Sequence, residues 1–194
     1  MAWLVAAPAP AQEVEFGAER DGEYISVWAR TELPVDARAA FAVLTDYERL
    51  AEFIPDLKSS RVLSRDGATV VVEQKGEYGV LFFRQAIDLR LVVTEEPPLR
   101  VSSRSSGGSL ENYTGSYELR VLPPAPAGMQ GTGPAGPRTR IDYRGRFIPA
   151  FDLPPVVGMM AVRESLRLHF GAMAREIVRR AGVQLRPPGA DLPW

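Results

Sequence analysis

The spacing of hydrophobic positions changes along this chain, and the changes separate predicted strands from predicted helices. Glu23–Leu33 alternates apolar and polar residues, which predicts a first strand that ends at Pro34. Helical spacing follows, with Asp36 as a candidate N-cap for a short amphipathic helix. A second helical turn, DYERLAEF, stops at Pro55 because proline cannot continue a helix. Two short helices are therefore expected directly after the first strand.

The alternating pattern returns after the second helical turn and predicts six further strands. Asp66-Gly67, between the first two of them, is a strong two-residue hairpin signal. In the longest strand, Ile87, Leu89, Leu91 and Val93 share one face. Gly107-Gly108 predicts another turn. The six strands are Ser59–Ser64, Thr69–Tyr78, Val80–Thr94, Leu99–Ser105, Leu110–Leu122 and Arg140–Phe147.

The last predicted element is one long helix, Pro155–Ala181. Prolines suit its first turn, and Gly182 suits the position just after its end. Its apolar stripe consists of Met159, Val162, Leu166, Phe170, Met173 and Ile177. Hairpins make the sheet antiparallel, and a single helical stripe needs a sheet face to cover it. The predicted fold class is therefore α+β: a curved antiparallel sheet of about seven strands wrapped around a long C-terminal helix.

Three segments lack periodicity and divide the chain around one domain. We expect a signal-like or disordered segment over 1–20, a domain over 21–183 with a flexible loop at 123–138, and an extended tail over 184–194. Ala9-Pro10-Ala11 has the spacing of a signal-peptidase site, although the apolar run before it is short. Export to the periplasm is therefore one expectation, and an Ala/Pro-rich terminus of a cytoplasmic protein is the other.

Composition excludes several classes of site. The net charge of -1 argues against a nucleic-acid-binding protein, which would carry an excess of basic residues. The chain has no cysteine and a single histidine, His169, so thiolate sites and multi-histidine metal sites are excluded. No metal site, cofactor or catalytic residue is predicted. The preference for arginine over lysine indicates a GC-rich, bacterial genome.

Aromatic and charged residues within the predicted strands have two interpretations each. Tyrosines and phenylalanines there either fill an ordinary core or line a cavity. Arg84 either lies on the solvated face or points inward to a ligand. Methionines of the long helix are either core or an adaptable cavity wall. A lone histidine such as His169 is expected at the surface or the core boundary.

The order of elements resembles the START-like superfamily of helix-grip folds. The segments that carry the resemblance are FIPDLKSSRVLS, GVLFFRQAIDLRL and FIPAFDLPP, and it is closest to the polyketide-cyclase and coenzyme-Q-binding branch. At Asp56-Leu57 the chain departs from coenzyme-Q-binding relatives, which tend to have an aromatic residue and a cysteine there. The resemblance implies an apolar tunnel between the last helix and the sheet. The expected ligand-binding residues are Tyr47, Phe53, Ile54, Tyr78, Phe83, Arg84, Tyr113, Tyr117, Tyr143, Phe147, Met159 and Phe170.

Three functional hypotheses follow from this reading. The first is binding or transport of a hydrophobic small molecule (a lipid, an isoprenoid quinone or a polyaromatic compound) with transient membrane contact and no chemistry. The alternative is an aromatase/cyclase acting on a polyketide-like substrate, with Arg84, Tyr113 and Tyr117 as its polar set. The third is a partner-binding module whose cavity is vestigial.

Overall fold

The computed structural model describes residues 14–80, 83–123 and 136–182. The strands are β1 (Glu15–Asp21), β2 (Tyr24–Leu33), β3 (Leu57–Asp66), β4 (Thr69–Val80), β5 (Phe83–Glu96), β6 (Arg100–Gly108), β7 (Leu110–Leu122) and β8 (Arg138–Pro149). The helices are α1 (Ala37–Leu44), a 3₁₀ helix (Tyr47–Glu52) and α2 (Pro155–Arg180). Residues 1–13 of the predicted export segment, the centre of the predicted loop and the predicted tail lie outside the described residues. Export therefore stays a prediction.

Side-chain hydrogen bonds cap both ends of α1. Asp36 accepts a hydrogen bond from the backbone N–H of Arg38 at 2.8 Å, so it caps α1 as predicted. At the other end, the Thr45 hydroxyl donates to the Phe41 carbonyl at 2.9 Å. The chain then tightens into the 3₁₀ helix, which buries Tyr47 and leads into β3.

All strands belong to one antiparallel sheet, in the order β1-β2-β8-β7-β6-β5-β4-β3. The hairpin predicted at Asp66-Gly67 is confirmed, with Gly67 at a φ of 54°. Gly107 and Gly108 lie in the reversal between β6 and β7, as predicted, and they also pair with Arg90 and Leu89 beside a bulge in β5–β6. α2 packs across the inner face, next to α1, β1, β2 and β4. The architecture confirms the predicted helix-grip fold.

The strand count is corrected from about seven to eight, since β1 lies within the segment predicted to be signal-like or disordered. Only Ala18 of β1 is buried, so this edge strand lacks the alternation that marked the others. Gly17 is necessary where β1 meets β2, because a Cβ there would lie 2.5 Å from the Trp28 indole nitrogen. The folded part of the chain thus begins before residue 21. No helix in the described ranges is long and apolar enough to cross a bilayer.

Candidate functional site

A cavity of about 300 Å³ lies between the inner face of the sheet and α2. Its wall is mainly aliphatic and aromatic, and β5 contributes the face that the sequence pattern had set apart: Ile87, Leu89, Leu91 and Val93. Alternation of side chains along a strand explains why one face of β5 is apolar and the other charged. Other strands contribute as well, and the walls outside the sheet come from the short helices and the segment after them, the loop before α2, and α2 itself. The lining residues of these walls are Leu44, Tyr47, Leu50, Ile54, Phe151, Leu153, Ala161, Val162, Ser165, Leu166, His169, Phe170 and Met173.

Three tyrosines form a polar cluster in the sheet wall. The hydroxyls of Tyr113 and Tyr143 lie 3.3 Å apart, and Ser103 donates to the Tyr113 hydroxyl at 3.5 Å. The ring of Tyr117 stacks against that of Tyr143 with centroids 4.7 Å apart. Burial raises the pKa of Tyr117, with a smaller contribution from Tyr113, so its phenol stays protonated at neutral pH. The group can exchange hydrogen bonds with a ligand but supplies no charge.

Two glycines make room for these hydroxyls. A Cβ at Gly115 would overlap the Tyr113 hydroxyl oxygen, and one at Gly145 would lie 2.7 Å from that of Tyr143. Both glycines pair with each other across β7 and β8. Any side chain at either position would push a tyrosine into the cavity. Each glycine lies two positions from a tyrosine of its own strand and therefore on the same face.

Tyr47, from the 3₁₀ helix, contributes its ring to the wall while its hydroxyl is engaged elsewhere. The hydroxyl donates to Glu95 at 2.9 Å, and Arg65 pairs with the same carboxylate. Burial, followed by the hydrogen bond to Glu95, raises the pKa of Tyr47. Tyr47 and Ile54 therefore present apolar surface to the cavity.

His169 is half-buried, which agrees with the expected boundary position. The sequence analysis did not anticipate that it would line the cavity from α2. Loss of solvent lowers its pKa to about 4, opposed by the charge of Asp56 and a hydrogen bond with the Pro55 backbone. The imidazole is therefore neutral at pH 7. Its helical position, one residue before Phe170, gave no sign of this, because curvature of the sheet decides which flank of the helix is covered.

The predicted ligand-binding residues fall into two groups. Eight of them line the cavity: Tyr47, Ile54, Phe83, Tyr113, Tyr117, Tyr143, Phe147 and Phe170. Phe53 lies outside the lining and beneath the Arg180 guanidinium, 5.5 Å from its ring centroid. Met159 packs against a smaller hydrophobic cluster around Ile25 and Leu153, and it does not line the cavity. The side chain of Tyr78 lies outside the described part of the structure.

Among the predicted ligand-binding residues, Arg84 was clearly assigned to the wrong face of its strand. Its side chain is 69% exposed and pairs with Glu77 at 3.4 Å, so it points away from the cavity. Strand parity explains the outcome, because Phe83 and Gln85 line the cavity and the residue between them must face outward. The polar set proposed for the enzyme alternative therefore loses its cation.

The described lining contains no Asp, Glu, Lys or Arg. Besides the tyrosines and His169, its polar members are Gln74, Gln85, Ser103 and Ser165, which the sequence analysis did not single out. Ser103 could have been found from its parity with Val101 once the inward face of β6 was known. An uncharged apolar wall with a few hydroxyl, amide and imidazole groups suits a neutral ligand, since a buried ion would lack a partner.

A family model matches most of the folded part of the chain. Residues 33–169 match the family described as polyketide cyclase / dehydrase and lipid transport. The chain belongs to this family. The match runs from the end of β2 to His169 in α2, so it includes most of the cavity wall. No curated protein matches the chain.

Solved structures with low sequence identity share the fold of this chain. The Zhui aromatase/cyclase from Streptomyces sp. R1128 superposes with a TM-score of 0.63 and 16% identity, covering 81% of this chain and 95% of that one. A protein from Thermus thermophilus gives 0.60 and 15%, covering 79% and 97%. A START superfamily protein from Mycobacterium smegmatis gives 0.59 and 14%, also covering 79% and 97%. At these identities the likeness establishes the fold, and function must come from the site.

Proposed function

We propose that this protein binds and carries an uncharged hydrophobic small molecule in the cavity beneath α2. The observation that carries the proposal is the cavity itself, about 300 Å³ in volume with no charged residue in its described lining. Burial of about 200 Å² of apolar ligand surface would contribute about 5 kcal/mol before the costs of association. The Tyr113–Tyr143 hydroxyls on the sheet and His169 on the helix would orient a ligand that has a hydroxyl or carbonyl group.

The test uses the neutral fluorescent probe N-phenyl-1-naphthylamine and a substitution that fills the cavity. Val162 lines the cavity, so Val162→Phe should weaken probe binding at least tenfold. Val156→Phe is the matched control on the same helix, because Val156 is 72% exposed and outside the lining. Its affinity should stay within twofold of the wild type. Equal binding by wild type and Val162→Phe would refute the proposal, as would the absence of probe binding and of any co-purifying molecule in native mass spectrometry.

The alternative is an aromatase/cyclase, and the linked hydroxyls of Ser103, Tyr113 and Tyr143 are the feature that favours it. The protonation states of the site disfavour it. A histidine with a pKa of about 4 is a weak general base at neutral pH, and the raised pKa of Tyr117 makes it a weak acid. Turnover of an aromatic polyketide mimic by the wild type, abolished in Tyr113→Phe, would move the assignment to an enzyme.

A membrane is the proposed donor or acceptor of the cargo. Val156 and Met160 are 72% and 50% exposed on one side of the first turns of α2. They follow directly on the loop that contributes Phe151 and Leu153 to the cavity wall. Transfer of the probe to phosphatidylcholine vesicles should slow severalfold in Val156→Asp/Met160→Asp while probe affinity is retained. Unchanged transfer would show that delivery does not use this surface.

A further inference from the structure

The outer face of the sheet, opposite the cavity, contains a second concave region. This outer groove has a volume of about 770 Å³ and crosses β5, β6, β7, β8 and β2. Its described lining includes Arg104, Arg144 and Arg146 and no carboxylate. The outward-facing hydroxyl residues of the groove are Ser26, Thr94, Ser102, Thr114 and Ser116. A recess of this composition is unusual on a chain whose net charge is -1.

Strand register places the three arginines around the hydroxyls. In the strand register, Thr114 is the neighbour of Arg104 on one side and of Arg146 on the other. The backbones of the two arginines are therefore about 10 Å apart, with the threonine between them. Arg144 pairs with Ser116 in the adjacent row, about 7 Å along the same strand from Arg146. Residues two apart on a strand share a face. The three cations thus surround Thr114 and Ser116 on one side of the sheet.

In the next row of cross-strand neighbours on the same face, each arginine forms an ion pair with a carboxylate. There Arg100 pairs with Glu118 at 3.2 Å, and Arg30 pairs with Asp142 at 2.5 Å. Within the described ranges, Arg104, Arg144 and Arg146 make no ion pair. Arg146 lies over the Tyr24 ring at 3.8 Å, which holds it in place without cancelling its charge. Three uncompensated cations repel one another, and a multiply charged anion between them would remove that repulsion.

We infer that the outer groove binds the phosphate group of a small soluble phosphorylated molecule. Guanidinium forks bind phosphate in bidentate geometry, and serine and threonine hydroxyls donate to the remaining oxygens. Ser102 and Ser116 are half-buried in the groove, which favours a small ligand over a flat lipid surface, since the latter would need protruding apolar residues. The exposed indole of Trp28 does not serve that purpose, because it lies over Gly17 at the edge of the sheet. This site is separate from the cavity and does not depend on its ligand.

The test is calorimetric titration of the full chain with inorganic pyrophosphate. Arg104→Gln and Arg144→Gln should each weaken binding at least fivefold, and the double variant should show no measurable heat. Arg100→Gln is the matched control: it removes the same charge from the same face, but from a residue paired with Glu118. Its affinity should stay within twofold of the wild type. Circular dichroism and probe binding in the cavity should be unchanged in all variants.

Three outcomes would overturn the inference. Absence of pyrophosphate binding to the wild type at millimolar concentration is the first. Equal weakening by Arg100→Gln is the second, since it would indicate attraction by the overall field rather than a site. The third is binding only to vesicles that contain phosphatidic acid, with no competition by pyrophosphate. Competition by pyrophosphate against such vesicles would support the inference and identify the shared phosphate chemistry.

Discussion

Two sections of α2 face the rest of the molecule in different ways. The anchored section, residues 172–180, buries most of its side chains, with Ile177 at 0% and Val178 at 2% exposure. The cavity section, residues 161–170, buries only Ala161 and Phe170. α2 packs against α1, and its anchored section ends at Arg180, whose guanidinium lies over the ring of Phe53 just after the 3₁₀ helix. In the cavity section the helix faces the cavity, whose other walls are the sheet, the short helices and the loop before α2.

Side-chain size and charge reinforce this difference. Ala161 and Ser165 point short side chains toward the sheet, which leaves room beneath the helix. At the other end, Glu176 pairs with Arg179 at 2.7 Å and with Arg180 at 2.6 Å. Arg180 also pairs with Asp46 at 2.5 Å, which ties α2 to the segment before the 3₁₀ helix. The C-terminal end of α2 therefore anchors the helix to the rest of the fold, and its middle forms one wall of the cavity.

The largest expected effect comes from truncating matched aliphatic residues in the two sections. Ile177→Ala should lower the free energy of unfolding by about 3 kcal/mol, because it creates a cavity in packed surroundings. Leu166→Ala should cost about 1 kcal/mol, because this half-buried side chain already borders empty space. Urea denaturation at pH 7 measures both. Equal losses would mean that the two sections are packed alike.

His169, at the end of the cavity section, should make stability depend on pH. Its folded pKa of about 4 lies below the unfolded value of 6.5, so the unfolded chain binds more protons between these values. Stability should be complete above pH 6.5 and fall by about 3 kcal/mol as the pH drops toward 4. His169→Gln should lose this component in denaturation curves collected across that range. Parallel curves for the two proteins would show that the imidazole is solvated.

Glu176 should produce a separate effect at lower pH in the anchored section. The hydrogen bond from Arg179, followed by that from Arg180, lowers its pKa to about 2. Its contribution is present above the ordinary pKa of glutamate and is lost as the pH falls from about 4.5 to 2. Since Arg179 is largely exposed and screened, the loss should be about 1 kcal/mol. Glu176→Gln should differ from the wild type at pH 7 and match it near pH 2; a constant difference would refute the assignment.

The smallest expected effect concerns hydrogen bonding in the cavity. Tyr113→Phe removes one hydroxyl from the Ser103–Tyr113–Tyr143 set, at a cost of about 1 kcal/mol in affinity for a ligand that uses it. Wild type should prefer 2-naphthol to naphthalene about fivefold more strongly than the variant does. Fluorescence titration measures the preference. An identical preference in both proteins would exclude these hydroxyls from ligand orientation.

The elements were predictable where burial produced a periodic pattern. The inward face of β5, the hairpin at Asp66-Gly67, the cap at Asp36 and the extent of α2 all agree with the structure. β1 was missed because an edge strand with one buried residue, Ala18, carries almost no pattern. Arg84 was misplaced because strand parity could not be assigned to inside or outside from the sequence alone.

The order of elements, the residues that share each strand face and the absence of cysteine chemistry follow from the linear chain, because they depend on neighbours a few positions away. The position of His169 on the cavity wall, the meeting of Tyr113 with Tyr143, and the clustering of Arg104 with Arg146 depend on residues brought together by sheet curvature and register. Those contacts join distant segments, and local spacing contains no information about which side of a curved sheet α2 leaves uncovered.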